Sequence, residues 1–417
     1  MIKKLKLRIS KIRSERATRV NIGKIAGGLG RQDYLTEAQL NHHVHVVGAS
    51  GFGKTVFLTQ IIKQQIDQKK GLFLIDLKSD METIRQLTRF ATEANRASDF
   101  QLFSLGEKEL SRPYNLIGHG SATQLRDRIM SSLNWSEEFY KNQSASFLLK
   151  VLIVLCNLRD VGQLKLHIGT VYRAVNDREF LKELYGRVAA DCLLAREAIV
   201  DAVGFSKDQA NWNSLQGLRS QLESIVKSDF GDLVASDSDG IDLFETVRDG
   251  KLLFLFLDTR RYGETAKTIG KFILQDLKSV SARIDGEVPK TERRPFSVIV
   301  DEFADLAQED FIGLLDRARS SKMSIIVSHQ EICDLQRISP EFAGRLMGNT
   351  SSLYAFLQKR PESAELIAGI AGTVQVRKKT YAHERWLFWD VPTGACSVRE
   401  VEEFIIHPNS IKSLGVG

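Results

Sequence analysis

Gly48-Ala49-Ser50-Gly51-Phe52-Gly53-Lys54-Thr55 satisfies G-x-x-x-x-G-K-[ST] at every defined position. A short β-rich run, residues 45–47, leads into it, and residues 56–65 lead out with the apolar spacing of a helix. Glycines let a backbone fold round a phosphate with its N–H groups pointing inward, and the N-terminus of the following helix adds positive potential. On that geometry Gly48, Ser50, Gly51, Phe52 and Gly53 wrap the phosphates of ATP. Lys54 reaches the β- and γ-phosphates, and Thr55 offers its hydroxyl to Mg²⁺.

Working outward, the next informative run is Phe296-Ser297-Val298-Ile299-Val300-Asp301-Glu302, an apolar strand ending in two carboxylates. Asp301 suits a magnesium held through water, and Glu302 suits the general base that polarises an attacking water. The alternative for the pair is a cap on the next helix. Ser324-Ile325-Ile326-Val327-Ser328-His329-Gln330 is a second buried strand ending in a polar amide. Ligands of open α/β sheets bind at the carboxyl ends of strands, which puts Gln330 beside the γ-phosphate.

Short apolar runs at residues 45–47, 71–75, 252–257, 296–300 and 324–328 alternate with helical patterns. That combination implies a parallel sheet covered on both faces. No proline occurs between Pro113 and Pro289, and helix-period patterns fill this stretch at residues 123–133, 146–158, 177–184, 190–203 and 211–225. The expected architecture is α/β: a RecA-like P-loop NTPase core with a mainly parallel sheet, plus an all-α insertion domain. The expected division is a basic N-terminal arm over residues 1–38, a nucleotide-binding domain over 39–118 and 240–417, and the insertion over 119–239. Residues 285–294 read as an exposed charged connection.

Composition narrows the class. The net charge of +6 hides an asymmetry: residues 1–31 hold ten basic side chains and one acidic, and the remainder sums to −3. Lys3, Lys4, Lys6, Arg8, Lys11, Arg13, Arg16 and Arg19 form an arm that suits phosphates or an anionic membrane surface, or a solvated tail. The basic balance is therefore no argument for DNA binding by the body. Cys156, Cys192, Cys333 and Cys396 are far apart, which argues against a zinc site and a disulfide framework. His42, His43 and His45 read as packing residues at the mouth of a strand. The longest apolar run, residues 147–158, contains Lys150 and is too short to span a bilayer.

Accessory motifs carry a resemblance. Leu74-Ile75-Asp76-Leu77-Lys78-Ser79-Asp80 resembles the D-P-K-G-[DE] element of the coupling proteins of conjugation, the VirD4, TraD and TrwB group, with Leu77 in place of proline and Ser79 in place of glycine. Arg112-Pro113-Tyr114-Asn115-Leu116-Ile117 is similar to that group's entry into its all-alpha domain, and Gln124 to Asp127 to the domain's start. Leu314 to Met323 resembles the arginine-bearing helix of the wider HerA/FtsK superfamily. Asn349-Thr350, Tyr354 to Phe356 and Pro361 to Glu365 resemble the end of the same core. The likeness spans roughly residues 40–410 and places the helical insertion between the second and third core strands.

The resemblance implies a Mg²⁺-dependent ATPase that couples a relaxase–DNA substrate to a type IV secretion or conjugation channel and pumps it. It implies a homo-hexamer with ATP between subunits, single-stranded DNA in a central channel, and relaxosome and channel proteins as partners. Arg319 is the choice for an arginine acting on the neighbouring subunit's ATP, with Arg317 second. The location implied is the bacterial cytoplasm at the inner membrane. Most of the group carry an N-terminal membrane hairpin, so this sequence is either a soluble variant or one that begins after the hairpin. Two other readings stay open: another HerA/FtsK-type DNA translocase, or a secretion ATPase or receptor for protein cargo.

Overall fold

Strands of the central sheet are short and mostly apolar on both faces, and most of their side chains divide between two cores. The computed structural model describes residues 18–25, 30–386 and 389–416, with side chains for all of these except residues 381–395. Of the basic arm, only Arg19 among the side chains named above falls within the described residues. Its guanidinium lies 3.5 Å from the centre of the Tyr34 ring.

The first strands among the described residues are an antiparallel pair, β1 (Val20–Lys24) and β2 (Gln32–Leu35). Part of the expected arm is therefore folded. Seven strands then build one parallel sheet: β3 (Val44–Val47), β4 (Gly71–Asp76), β5 (Phe100–Ser104), β6 (Leu252–Phe256), β7 (Phe296–Val300), β8 (Met323–His329) and β9 (Ser352–Ala355). Their order is β5-β6-β4-β7-β8-β3-β9. Along β4 and β6, alternate residues enter opposite cores. Phe73, Ile75, Leu253 and Leu255 join one, while Leu72, Leu74, Leu252, Phe254 and Phe256 join the other. This is the period of two expected of a pleated strand, with no polar face because both faces are covered.

One face packs the helices Lys54–Asp67 and Met81–Glu93. The other packs the long helix Thr259–Glu287 and the helices between β5 and β6. That series runs from Ala122–Ser132 through Glu138–Asp160 to Leu243–Asp249, and it opens on a Ser121/Gln124 capping box. The insertion follows the third strand in sequence, not the second. The extra strand is β5, whose Gln101 and Ser104 break the apolar pattern. Both are buried, and Gln101 accepts a hydrogen bond from the Thr246 hydroxyl at 2.8 Å.

Entry and exit of the insertion are tied together. Tyr114 N–H donates to Leu233 O at 2.7 Å and Ile241 N–H to Pro113 O at 2.7 Å. Gly240 is required here, since a Cβ would sit 2.1 Å from Pro113 O. Below this clasp the Tyr114 hydroxyl donates to Asp276 Oδ2 at 2.6 Å, and Arg128 lies 2.9 Å from Asp276 Oδ1.

The connection expected over residues 285–294 is only partly exposed. Its start is the end of the helix Thr259–Glu287, and Arg293 is buried against Asp285 at 2.8 Å. Beyond β9 come the helix Pro361–Ala371 and a long antiparallel hairpin, β10 (Thr373–Trp386) and β11 (Trp389–Phe404), which the sequence reading did not anticipate.

Candidate nucleotide site

Four adjacent strands, β4, β7, β8 and β3, end on the same edge of the sheet, and each delivers part of the site. β3 runs into the glycine loop. That loop is held from both sides: Gly48 N–H donates to His329 O at 3.2 Å, and Ala49 N–H to Leu357 O at 2.9 Å. Gly48 passes so close to the chain after β9 that a Cβ would meet Phe356 Cβ at 2.4 Å. Gly51 and Gly53 have φ of 86° and 101°, a region costly to any residue with a side chain. Gly53 then caps the helix Lys54–Asp67 without a side-chain acceptor. The first-turn N–H groups lack helical partners, so the loop presents them at its mouth.

Lys54 is buried, and its ammonium donates to Gly48 O and Ala49 O. Burial lowers its pKa, against the opposing pull of Glu302 and Asp301. Ser50, Gly51, Gly53, Lys54, Thr55, Lys78 and Asp301 share a pocket of about 210 Å³. Phe52 is half-buried in the loop.

Asp301 is buried at the end of β7, and burial raises its pKa, as does the neighbouring Glu302. Glu302 has φ of 51°, an uncommon conformation for glutamate. Lys78 Nζ lies 3.0 Å from its Oε1 and Gln330 Nε2 lies 3.4 Å from its Oε2. Burial alone would raise this carboxyl, but Lys78, Lys54 and Gln330 outweigh it and hold it below the usual range. Asp76, at the end of β4, is pushed up to about 7 by burial and by Asp301.

The structure thus brings Lys54, Thr55, Asp301, Glu302 and Gln330 to one edge of the sheet. It does not bring Arg317 or Arg319 there. Arg317 is in the last turn of the helix Phe311–Ala318 and Arg319 caps it, and this helix ends ahead of the amino end of β8. Arg319 is electrostatically close to His43, which precedes β3, so it lies at the opposite edge from its own loop. Among the described residues neither arginine has an acidic partner within ion-pair distance.

Of the three histidines expected to pack, His43 and His45 are buried and His42 is exposed. His45 and His329 stack beneath the loop with Nε2 atoms 2.6 Å apart, and His43 is buried against Leu315 O at 2.9 Å. No cluster of three or more His, Cys, Asp or Glu able to hold a metal occurs among the described residues. The four cysteines are unpaired, and no described helix is long and apolar enough to cross a membrane.

Sequence reasoning assigned no role to Asp76 or Lys78, although it quoted both. The available signal was their place at the end of the strand that follows the phosphate-loop helix, one strand from Asp301-Glu302.

Oxygen donors of Thr55 and Asp301 suit a hard cation such as Mg²⁺. The glycine loop with Lys54 suits a chain of phosphates.

Residues 295–414 match the family model described as the TraM recognition site of TraD and TraG. The type 4 coupling protein DotL of Legionella pneumophila is 21% identical over 406 residues, covering 84% of this chain and 51% of that protein. The chain therefore spans about half the length of this curated relative. Among solved structures, the unbound conjugative coupling protein TrwBdeltaN70 has a TM-score of 0.66 at 14% identity, covering 96% of this chain and 86% of that one. TrwB in complex with ADP and Mg²⁺ gives 0.62 at 15%, with the same coverage. VirB4 of Thermoanaerobacter pseudethanolicus gives 0.53 at 13%, covering 84% of this chain and 87% of that one. At these identities the structural likeness shows the fold: a RecA-like P-loop core with a helical domain.

Proposed function

We propose that this chain, a relative of the type 4 coupling proteins, is an ATP-hydrolysing motor subunit that delivers a relaxase–DNA substrate to a type IV secretion or conjugation channel. The observation that carries the enzymatic part is that Lys54, Thr55 and Asp301 line one pocket, while Glu302 meets Lys78 of the same pocket and Gln330 meets Glu302. Lys54 neutralises the β- and γ-phosphates of the substrate. Thr55 and Asp301 hold its Mg²⁺, which supplies charge neutralisation at the phosphates. Gln330 and Glu302 orient a water, and Glu302 takes its proton as the new oxygen–phosphorus bond forms and the bond to ADP breaks.

Arg319 serves the site of the neighbouring subunit in a homo-hexamer, with Arg317 as second choice. Its position at the opposite edge from its own loop supports this role, as does its having no acidic partner within ion-pair distance among the described residues. The domain division proposed is the insertion over 119–239 within a core of 39–118 and 240–417. Residues 295–414 are the proposed contact for relaxosome partners, on their likeness to the TraM recognition site. The working location is the cytoplasmic face of the inner membrane.

A second reading, a motor or receptor for protein cargo, is favoured by one observation. The positive charge lies in residues 1–31, and the remainder of the chain is slightly acidic. Steady-state ATPase activity with and without single- and double-stranded DNA, at low and physiological salt, separates the two. Stimulation by DNA supports the nucleic-acid motor. Turnover indifferent to DNA at both salts favours protein cargo, and absence of turnover in every condition refutes the ATPase.

A further inference from the structure

Lys78 stands on the turn after β4, half-exposed, with its ammonium on Glu302 Oε1. It also borders the pocket formed by Ser50, Gly51, Lys54, Thr55 and Asp301. One cation thus faces both the carboxylate that would activate water and the space a terminal phosphate would enter. The other carboxylate oxygen is held by Gln330 at 3.4 Å, so both oxygens of Glu302 are engaged. The backbone around Lys78 is fixed. Its N–H donates to Asp76 Oδ1 at 2.9 Å, and Leu77 O accepts from both the N–H and the hydroxyl of Thr259. The side chain is therefore the mobile part of a rigid turn, with three rotatable donors on a flexible stem.

The geometry points to Lys78 as a positioning residue that senses the γ-phosphate: it pins Glu302 until a terminal phosphate draws its ammonium across the pocket, and the exchange frees Oε1 for water. This rests on the ATPase reading above. A terminal phosphate carries more charge than one carboxylate and offers three acceptor oxygens, so the ammonium gains by moving. Diphosphates lack that group and leave the Lys78–Glu302 pair intact. Hydrolysis is then coupled to occupancy of the γ-position, since the base is released only by the group that is to be cleaved. Gln330 keeps the freed carboxylate in place through Oε2.

The test compares wild type, Lys78→Met and Lys78→Arg. Dissociation constants for Mg²⁺-ADP and for a non-hydrolysable Mg²⁺-ATP analogue are measured by calorimetry, alongside kcat and KM for ATP. Loss of one charge-assisted contact to the γ-phosphate should weaken analogue binding relative to ADP by about 10- to 100-fold in Lys78→Met. kcat should fall as well, and Lys78→Arg should restore most of the analogue-over-ADP preference. A purely structural ion pair would shift both nucleotides together. An unchanged ratio in Lys78→Met therefore overturns the proposal while leaving the ATPase intact. Failure of wild type to bind either nucleotide overturns the ATPase reading and this proposal with it.

Discussion

Substituting Asp276 by alanine should destabilise the junction between the sheet and the insertion by about 3–4 kcal/mol. Arg128 is almost wholly buried, with 2% of its side chain exposed, and Asp276 is its ion-pair partner at 2.9 Å. Breaking a buried pair by removing one member costs roughly 3–5 kcal/mol, because the remaining charge is left uncompensated. Two details place the value in the lower part of that range. Arg128 keeps a hydrogen bond to Leu116 O at 2.9 Å, and Asp276 is 12% exposed, so some water reaches the site. One detail pushes the other way. The Tyr114 hydroxyl, also buried, loses its acceptor, and stranding it adds roughly 1–3 kcal/mol that is only partly independent. Urea unfolding of the full chain, followed by tryptophan fluorescence and circular dichroism, gives the loss. The decisive comparison is the pair Arg128→Met with Asp276→Leu, which removes both charges and should recover a large part of the stability. A loss under about 1 kcal/mol in Asp276→Ala, or no recovery in the double variant, would refute the reasoning.

Other expectations concern the site. Glu302→Gln should bind Mg²⁺-ATP with near-normal affinity and turn it over roughly 10²- to 10⁴-fold more slowly; single-turnover kinetics reads this, and normal turnover removes Glu302 as the base. Lys54→Ala should abolish turnover, checked by phosphate release. Gly48→Ala must displace the Phe356 backbone or the loop, since its Cβ would lie 2.4 Å from Phe356 Cβ, so nucleotide affinity should fall at least about tenfold by calorimetry. Acid should destabilise the fold through His43 and His329, both held neutral by burial with pKa values of about 4. The unfolded chain protonates them first, so their contribution is lost as pH falls from the ordinary histidine range towards 4. Asp76, raised to about 7, opposes this by favouring the folded state as it protonates. Asp76→Asn should therefore lose stability more steeply than wild type on acidification from pH 7 to 4, measured by thermal melting; equal slopes would contradict the assignment.

How far the sequence was legible depended on whether a residue's job was local. The glycine loop and the carboxylate pair are contiguous in sequence and sit at strand ends, so their spacing announced them. Strand β5 was missed because Gln101 and Ser104 are polar in isolation and become core residues only when the Thr246 hydroxyl and the Glu107 N–H satisfy them. Arg293 was read as exposed because Asp285, at the start of the same charged run, meets it only once the end of the preceding helix folds the run back. Lys78 was visible as a letter in a motif, yet its partner stands 224 residues away and meets it only through the strand order β4-β7. Tertiary placement, which periodicity cannot supply, decided each of these.

The clasp at Pro113, Tyr114, Leu233 and Ile241 has a bearing on how such a chain can be remodelled. Because the two ends of the insertion are hydrogen-bonded to each other, its length is topologically free: a different helical module can be spliced in without moving a strand. Packing withdraws part of that freedom. Phe147, Leu148 and Leu152 of the insertion share one apolar core with Val298 and Val300, the strand that delivers Asp301 and Glu302. A transplanted module would need to bring a matching buried face as well as compatible ends. Without one, the graft would thread correctly and still loosen the strand on which the chemistry depends.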